Sequence, residues 1–264
     1  MLEKPVKVQL TNYALIQVYG EGAESFLQGH LTCNIQKLAN NSHCLGAHCN
    51  NKGRIRILYR VFKKDADFYL RCPISLAEKA LSFLETYGRF SKVKFDCFKA
   101  GGFGILVPFD FEAPSHLDAF QVPGTRDCRR YEIHDFADID NADQGNIGEW
   151  LDKLPLDTFE TWQLSEIRSG IPEIYPETSE QFLPHYIGLP ELGAVHFDKG
   201  CYIGQEIIAR MQYRSKQQKH HLVRVKLPLD ANTKNFKPGD ALPNIIVSIC
   251  ADTKEPYLYA LVQQ

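Results

Sequence analysis

Several features are missing from this sequence of 264 residues. No stretch approaches the ~20 consecutive apolar residues that a membrane-spanning helix needs, and the first ten residues lack the apolar core of a signal peptide. The formal net charge is only −2, so the chain as a whole is not a general polyanion-binding protein. The eight cysteines include no CxxC pair. These absences predict a cytoplasmic protein with free thiols.

Common catalytic and metal-binding motifs are missing as well. There is no GxSxG, which argues against a Ser/His/Asp hydrolase. The run Gly101-Gly102-Phe103-Gly104 lacks a following GK[ST] and predicts a turn into a strand, not a phosphate-binding loop. Six histidines and cysteines lie between residues 30 and 49, but they match no standard zinc spacing, so no metal site is predicted. They are His30, Cys33, His43, Cys44, His48 and Cys49.

The hydrophobic pattern predicts an α+β protein of short antiparallel strands and helices, in two or three domains. Strands are expected at 8–19, 43–49, 54–62, 67–72, 91–98, 102–107 and 128–134, and again within 219–264. Helices are expected at 23–31, at 75–88 with Ser75 as N-cap, at 157–169 and at 203–214; residues 109–125, 135–150 and 171–198 are expected to be loops or irregular. Arg54, Arg56 and Arg60 alternate with apolar residues, which predicts a half-buried strand with a basic face.

The segment 196–214, HFDKGCYIGQEIIARMQYR, concentrates the reactive residue types. Cys201 precedes the expected helix, and Lys199 points the same way in an extended segment. A cation and a helix N-terminus both stabilise a thiolate, so Lys199 and Cys201 are candidate reactive residues. The alternative is a buried structural cysteine on a glycine-rich turn. The basic segment 210–226 is a candidate site for phosphates or a folate tail, or a solvated linker.

The residues FDKGCYIGQE resemble the signature K-G-C-Y-x-G-Q-E of the YgfZ family, which is related to the glycine-cleavage T-protein and to mitochondrial iron–sulfur assembly factors. Further segments resemble the family in the same order. They are Phe26–Thr32 (F-L-Q-G-Q-x-T), Gly46–Arg54 (A-x-x-x-x-x-K-G-[RK]), Arg168–Pro172 (R-x-x-G-I-P) and Phe182–Pro184. The resemblance covers about residues 8–225, and only the signature is highly specific.

The resemblance implies a T-protein-like three-domain ring with ferredoxin-like α+β domains and a small C-terminal β-barrel. A discontinuous folate-binding domain would take residues 1–47 and 135–214. A ferredoxin-like inserted domain would take residues 48–134, and the short barrel residues 215–264. Tetrahydrofolate would bind near the centre of the ring.

The implied function is that of a folate-binding accessory protein for the assembly or repair of iron–sulfur enzymes, including a tRNA methylthiolase. Whether the chain is itself an enzyme stays open. Lys199 and Cys201 would form the reactive segment. The implied folate-binding residues are Gln28, Thr32, Asn51, Lys52, Arg54, Tyr202, Gln205, Glu206 and Arg210. The alternatives are a tetrahydrofolate-dependent aminomethyl transferase and a tRNA-binding module, for which direct tRNA binding would be weak.

Two departures from the T-protein pattern bear on these alternatives. T-proteins carry an aspartate for folate chemistry in K-G-G-I-x-D-D, whereas the corresponding residues 52–58 here contain no carboxylate. Aminomethyl transfer by that route is therefore not expected. The glutamate of the T-protein R-x-E-A-G segment corresponds to Ser169 here, so pterin recognition needs another acceptor.

Overall fold

The structure is a computed structural model that describes residues 2–99, 101–111, 119–125, 128–134, 150–214, 221–230, 233, 235–242, 244–252 and 257–263. Its strands are β1 (Val6–Gln9), β2 (Tyr13–Tyr19), β3 (Ser42–Cys49), β4 (Ile55–Lys64), β5 (Asp67–Pro73), β6 (Lys94–Lys99), β7 (Phe103–Pro108), β8 (Phe120–Thr125), β9 (Cys128–Ile133), β10 (Leu156–Asp157), β11 (Leu222–Pro228), β12 (Ala241–Leu242), β13 (Asn244–Ala251) and β14 (Tyr257–Gln263). Its helices are α1 (Ala23–His30), α2 (Ala77–Gly88), α3 (Phe159–Arg168) and α4 (Gln205–Arg214).

The strands form three sheets, with the orders β3-β4-β5-β2-β6, β10-β1-β7-β9-β8 and β11-β14-β13-β12. Every described pairing is antiparallel except that between β1 and β10. The predicted α+β class is therefore confirmed. No helix among the described residues is long and apolar enough to cross a membrane.

Several predicted boundaries need correction. The strand expected at 8–19 is two strands in different sheets, because a turn near residues 11–12 redirects the chain after β1. Residues 109–125, expected to be a loop, contain β8, which pairs with β9. Ser75 is not an N-cap: it lies in a 3-10 turn, and α2 begins at Ala77. Residues 135–149 lie outside the described residues.

The predicted division into domains stays a prediction. Strand β2, from the first predicted segment, pairs with β5 and β6 of the second, and β1 pairs with β7. The sheets therefore combine strands from both segments. The ring and the closed barrel also stay predictions; the described C-terminal strands form a four-stranded antiparallel sheet.

Arg60 corrects the prediction of a half-buried β4 with a basic face. Its side chain is fully buried, with Nε 3.0 Å from Glu132 Oε1 and Nη2 3.1 Å from Glu166 Oε1. Arg71 bonds to Glu132 at 2.9 Å, and Arg130 Nη2 lies 2.6 Å from Glu166 Oε1. A buried charge must be paired to be tolerated, and here carboxylates from β9 and α3 supply the pairing. We call Arg60, Arg71, Arg130, Glu132 and Glu166 the buried ion network.

Candidate functional site

Residues 196–206 pack on two segments that are distant in sequence, namely residues 31–33 after α1 and the turn 50–54 between β3 and β4. We call this arrangement the signature junction. Its first contact is backbone pairing, because the His196 amide donates to the Thr32 carbonyl at 2.9 Å. The Thr32 hydroxyl donates to the Ala194 carbonyl at 2.6 Å and accepts from the Ala47 amide at 2.9 Å. Thr32 therefore ties the signature to α1 and β3.

Two glycines make the second contact. Gly204 has φ of +81°, and a Cβ on it would lie 2.5 Å from the Asn50 carbonyl oxygen and 2.8 Å from the Gly53 Cα. Gly53, with φ of +72°, packs in turn against Ile207 and Ile208 of α4. Only glycine combines a left-handed φ with backbone contact this close. The glycines of KGCYIGQE and of NNKGR thus fit against each other.

Lys199 makes the most specific polar contact in the signature junction. Its Nζ donates to the carbonyl oxygens of Leu31 at 2.7 Å and Cys33 at 2.6 Å, and it lies 5.1 Å from the centre of the Tyr202 ring. Burial lowers the pKa of Lys199 to about 8. A lysine near neutrality exchanges a proton readily, so Lys199 can act as an acid, a base or a nucleophilic amine.

Cys201 stands in a different environment from Lys199. Its side chain is exposed, and it lies between Gly200, which is also exposed, and the buried Tyr202. The alternative of a buried structural cysteine is therefore wrong for Cys201. An activating interaction between Lys199 and Cys201 stays a prediction, since the ammonium contacts described above are to the carbonyls of residues 31 and 33.

The remaining signature residues anchor and begin α4. Tyr202 is buried, burial raises its pKa, and its hydroxyl has no hydrogen-bond partner among the described residues. The Gln205 backbone amide donates to the Tyr202 carbonyl at 3.1 Å. Glu206 and Arg210 form an i,i+4 ion pair, 2.7 Å apart on the exposed face.

The other residues predicted to bind folate divide into two groups. The buried Gln28 side chain makes structural hydrogen bonds. Its Nε2 donates to Asn34 Oδ1 at 3.2 Å, and its Oε1 accepts from the Ile35 backbone amide at 2.8 Å. Asn51, Lys52 and Arg54 lie on the exposed part of the turn that packs on Gly204, and Arg54 Nη1 donates to the Gln181 carbonyl. Among the predicted folate-binding residues, Asn51, Lys52, Arg54, Glu206 and Arg210 are exposed. Their role in folate binding stays a prediction.

A cleft of about 500 Å³ lies between the end of α3, the residues 185–192 and the C-terminal sheet. Its polar lining includes Ser169, His185, Glu191, His221 and Arg224. None of the predicted folate-binding residues lines it. Arg224 was singled out only as part of the basic segment 210–226, whereas His185 and Glu191 lie in a segment whose irregular sequence gave no signal. The cleft has the volume of a typical small-molecule site.

The six histidines and cysteines between residues 30 and 49 do not converge as metal ligands. No group of three or more His, Cys, Asp or Glu side chains within the described ranges is arranged to hold a metal ion. His48 is fully buried, and burial lowers its pKa to about 3. Its ring packs edge-on against Phe83 and Tyr87, so its surroundings are those of a neutral core residue.

The chain has relatives among known proteins. No family model matches the chain. An uncharacterized protein of Haemophilus influenzae is 32% identical over 219 residues, covering 80% of this chain and 70% of that protein. The tRNA-modifying protein YgfZ of Hamiltonella defensa is 31% identical over 236 residues, covering 80% of this chain and 67% of that protein.

Among solved structures, the chain is similar to the glycine cleavage system aminomethyltransferase T from Bartonella henselae. The TM-score is 0.69, and the match covers 98% of this chain and 78% of that one. The sequence identity is 11%, so this likeness establishes a T-protein-like fold and carries no further conclusion about activity.

Proposed function

The chain belongs to the YgfZ family, and on that premise we propose that it is a cytoplasmic, folate-binding accessory protein that supports the assembly or repair of iron–sulfur enzymes. The proposed clients include an enzyme that methylthiolates tRNA. The observation that carries the proposal is the signature junction, where Lys199 is held by two carbonyls and Cys201, two residues later in the chain, is exposed. The name of the Hamiltonella relative, a tRNA-modifying protein, supports the same direction.

We propose that reduced folate occupies the cleft of about 500 Å³. Folate carries a pterin with N–H donors at one end and glutamate carboxylates at the other. Glu191 supplies a hydrogen-bond acceptor for the pterin. It would take the place of the glutamate that T-proteins carry at the position of Ser169. The Arg224 guanidinium, whose Nη1 is anchored on the Arg168 carbonyl at the end of α3, supplies the cation for the tail.

A thermal-shift titration with tetrahydrofolate tests this proposal. Binding to the native state alone raises the melting temperature with dose. We expect Arg224→Met to raise about tenfold the tetrahydrofolate concentration that gives the same rise in melting temperature. The matched control is Arg89→Met, on an exposed residue after α2, which should leave that concentration unchanged. No shift at saturating tetrahydrofolate would refute folate binding. A normal shift with Arg224→Met would refute the cleft as its site.

The second candidate function is a tetrahydrofolate-dependent aminomethyl transferase, which the T-protein-like fold favours. The absence of a carboxylate from residues 52–58 argues against it. Turnover of a methylamine donor with tetrahydrofolate by the purified protein would establish this function. The tRNA-binding alternative predicts salt-sensitive binding to tRNA alone, since phosphate contacts weaken steeply with salt.

A further inference from the structure

Cys33 and Cys44 form a close thiol pair beside the signature junction. Leu31 makes an antiparallel bridge with His48, and the Thr32 amide donates to the Ala47 carbonyl at 3.0 Å. This register sets Cys33 opposite Gly46. A Cβ on Gly46 would collide with the Cys33 sulfur. The sulfur therefore fills a space that only glycine at position 46 leaves open.

Cys44 completes the pair from the same strand. It lies two residues before Gly46 on β3, so both positions face the same side of the sheet. The two side chains are therefore neighbours, and their interaction lowers the pKa of Cys33 and raises that of Cys44. Cys33 is buried, whereas Cys44 is partly exposed. Cys44 thus lies nearer the surface than Cys33.

Lys199 connects this pair to the signature. Its Nζ donates to the carbonyl of Cys33 itself, at 2.6 Å. Its ammonium also interacts electrostatically with both thiols. The cation of the signature therefore lies beside two cysteines that the signature does not contain, and a cation near a thiol favours the thiolate.

We propose that Cys33 and Cys44 are a second thiol site, which reacts with low-molecular-weight disulfides such as oxidised glutathione and closes into an intramolecular disulfide. The pair reacts as a monoanion in which Cys33 has lost its proton; the Cys44 proton moves to Cys33 and leaves a thiolate on Cys44. The Cys44 thiolate attacks glutathione disulfide, forming a mixed disulfide and releasing one glutathione thiolate, which takes the proton from Cys33. The Cys33 thiolate then attacks the Cys44 sulfur and releases the second glutathione, which is protonated by solvent. Two protein thiols are oxidised and one glutathione disulfide is reduced to two glutathiones.

Closure converts both thiols into a disulfide next to Lys199, whose ammonium donates to the Cys33 carbonyl. The state of this pair therefore sets the environment of the signature lysine. The site goes beyond the proposed function, and its test needs neither folate nor a client enzyme.

The experiment incubates the full-length protein with reduced and oxidised glutathione at fixed ratios, blocks free thiols with iodoacetamide in denaturant, and maps tryptic peptides by mass spectrometry. Trypsin cleaves after Lys37, so a Cys33–Cys44 disulfide joins two peptides. We expect this disulfide to be the main intramolecular product, while the exposed Cys97 and Cys201 form only mixed disulfides with glutathione.

Three variants sharpen the test. Cys33→Ser should trap the mixed disulfide on Cys44, and Lys199→Met should slow closure about tenfold, as loss of a nearby cation does when it lowers the thiolate fraction. Cys97→Ser, on the edge strand β6, is the control that should leave closure unchanged. The proposal is overturned if Cys33 and Cys44 stay reduced, and are therefore alkylated, while Cys97 and Cys201 are oxidised. It is also overturned if the Cys33–Cys44 disulfide forms only when the glutathione incubation is done in urea.

Discussion

The buried ion network and the signature junction place charge in opposite ways. In the buried ion network, three arginines and two glutamates satisfy one another at 2.6–3.1 Å, away from water. In the signature junction, the partly buried ammonium of Lys199 rests on two backbone carbonyls. Carbonyls orient an ammonium without neutralising it.

This difference separates a structural use of charge from a chemical one. Burial acts to raise the pKa of Glu132, but Arg71 and Arg60 hold it well below its usual range, so the carboxylate stays charged. For Lys199 the nearby Cys33 and Cys44 offset burial only in part, and its pKa falls to about 8. Side chains fixed in one charge state hold the sheets together, whereas a side chain whose pKa lies near neutral pH can take up and release protons.

Breaking the buried ion network should have the largest effect. Arg60→Met leaves Glu132 and Glu166 short of a partner, and we expect the free energy of unfolding to fall by about 3–5 kcal/mol. Urea denaturation measures this loss. Lys37→Met, which removes an exposed pair with Asp198, is the control and should leave the midpoint unchanged. A loss below about 1 kcal/mol for Arg60→Met would mean that the buried ion network is not what stabilises this region.

Gly204→Ala should have the next largest effect. It forces a side chain into a left-handed backbone position and against the Asn50 carbonyl, so we expect a loss of about 1–3 kcal/mol. Gly200→Ala is the matched control, because a Cβ there would meet nothing within 4 Å. Equal stability losses for the two variants would contradict the glycine contact between the signature and residues 50–53.

The pH dependence of stability tests whether the buried His48 is uncharged in the native state. Burial lowers the pKa of His48 to about 3, so the unfolded chain, with a pKa near 6.5, binds more protons between these values. Stability should therefore fall as the pH drops below 6.5, with His48 contributing about 1.4 kcal/mol per pH unit. His48→Phe should remove that part of the slope in urea titrations from pH 7 to 5. An unchanged slope would show that His48 is protonated in the native state.

Thiol reactivity gives a smaller but direct signal. Cys201 is exposed and precedes α4, so we expect it to be the fastest of the eight cysteines to react with iodoacetamide. Brief labelling followed by mass-spectrometric mapping ranks the thiols. Cys97, which is also exposed but lies on a strand, is the internal comparison. The prediction is wrong if Cys201 stays unlabelled while Cys97 reacts.

Local patterns in the sequence were sufficient to predict most elements of the signature junction. The hydrophobic pattern predicted a helix at 203–214, and α4 begins at Gln205. The structural partners of Lys199 could not be predicted, since they are carbonyls more than 160 residues away. The prediction that Arg60 lies on an exposed basic face was wrong for the same reason, since its partners are also distant in sequence. Alternation indicates which face of a strand is polar, but only the packed fold brings Glu132 and Glu166 to Arg60. The cleft is lined by four separate chain segments, so no single stretch of sequence predicted it.

The most direct measurement is rescue of tRNA methylthiolation in cells that lack the endogenous protein. Wild type, Lys199→Met, Cys201→Ala and the control Cys97→Ala are expressed at matched levels, and methylthiolated adenosine in tRNA is quantified together with the melting temperature of each protein. We predict that Lys199→Met and Cys201→Ala abolish rescue, with melting temperatures near that of wild type for Cys201→Ala, because the exposed thiol fills no cavity. Full rescue by a Lys199→Met, Cys201→Ala double variant would contradict the chemical role of the signature junction.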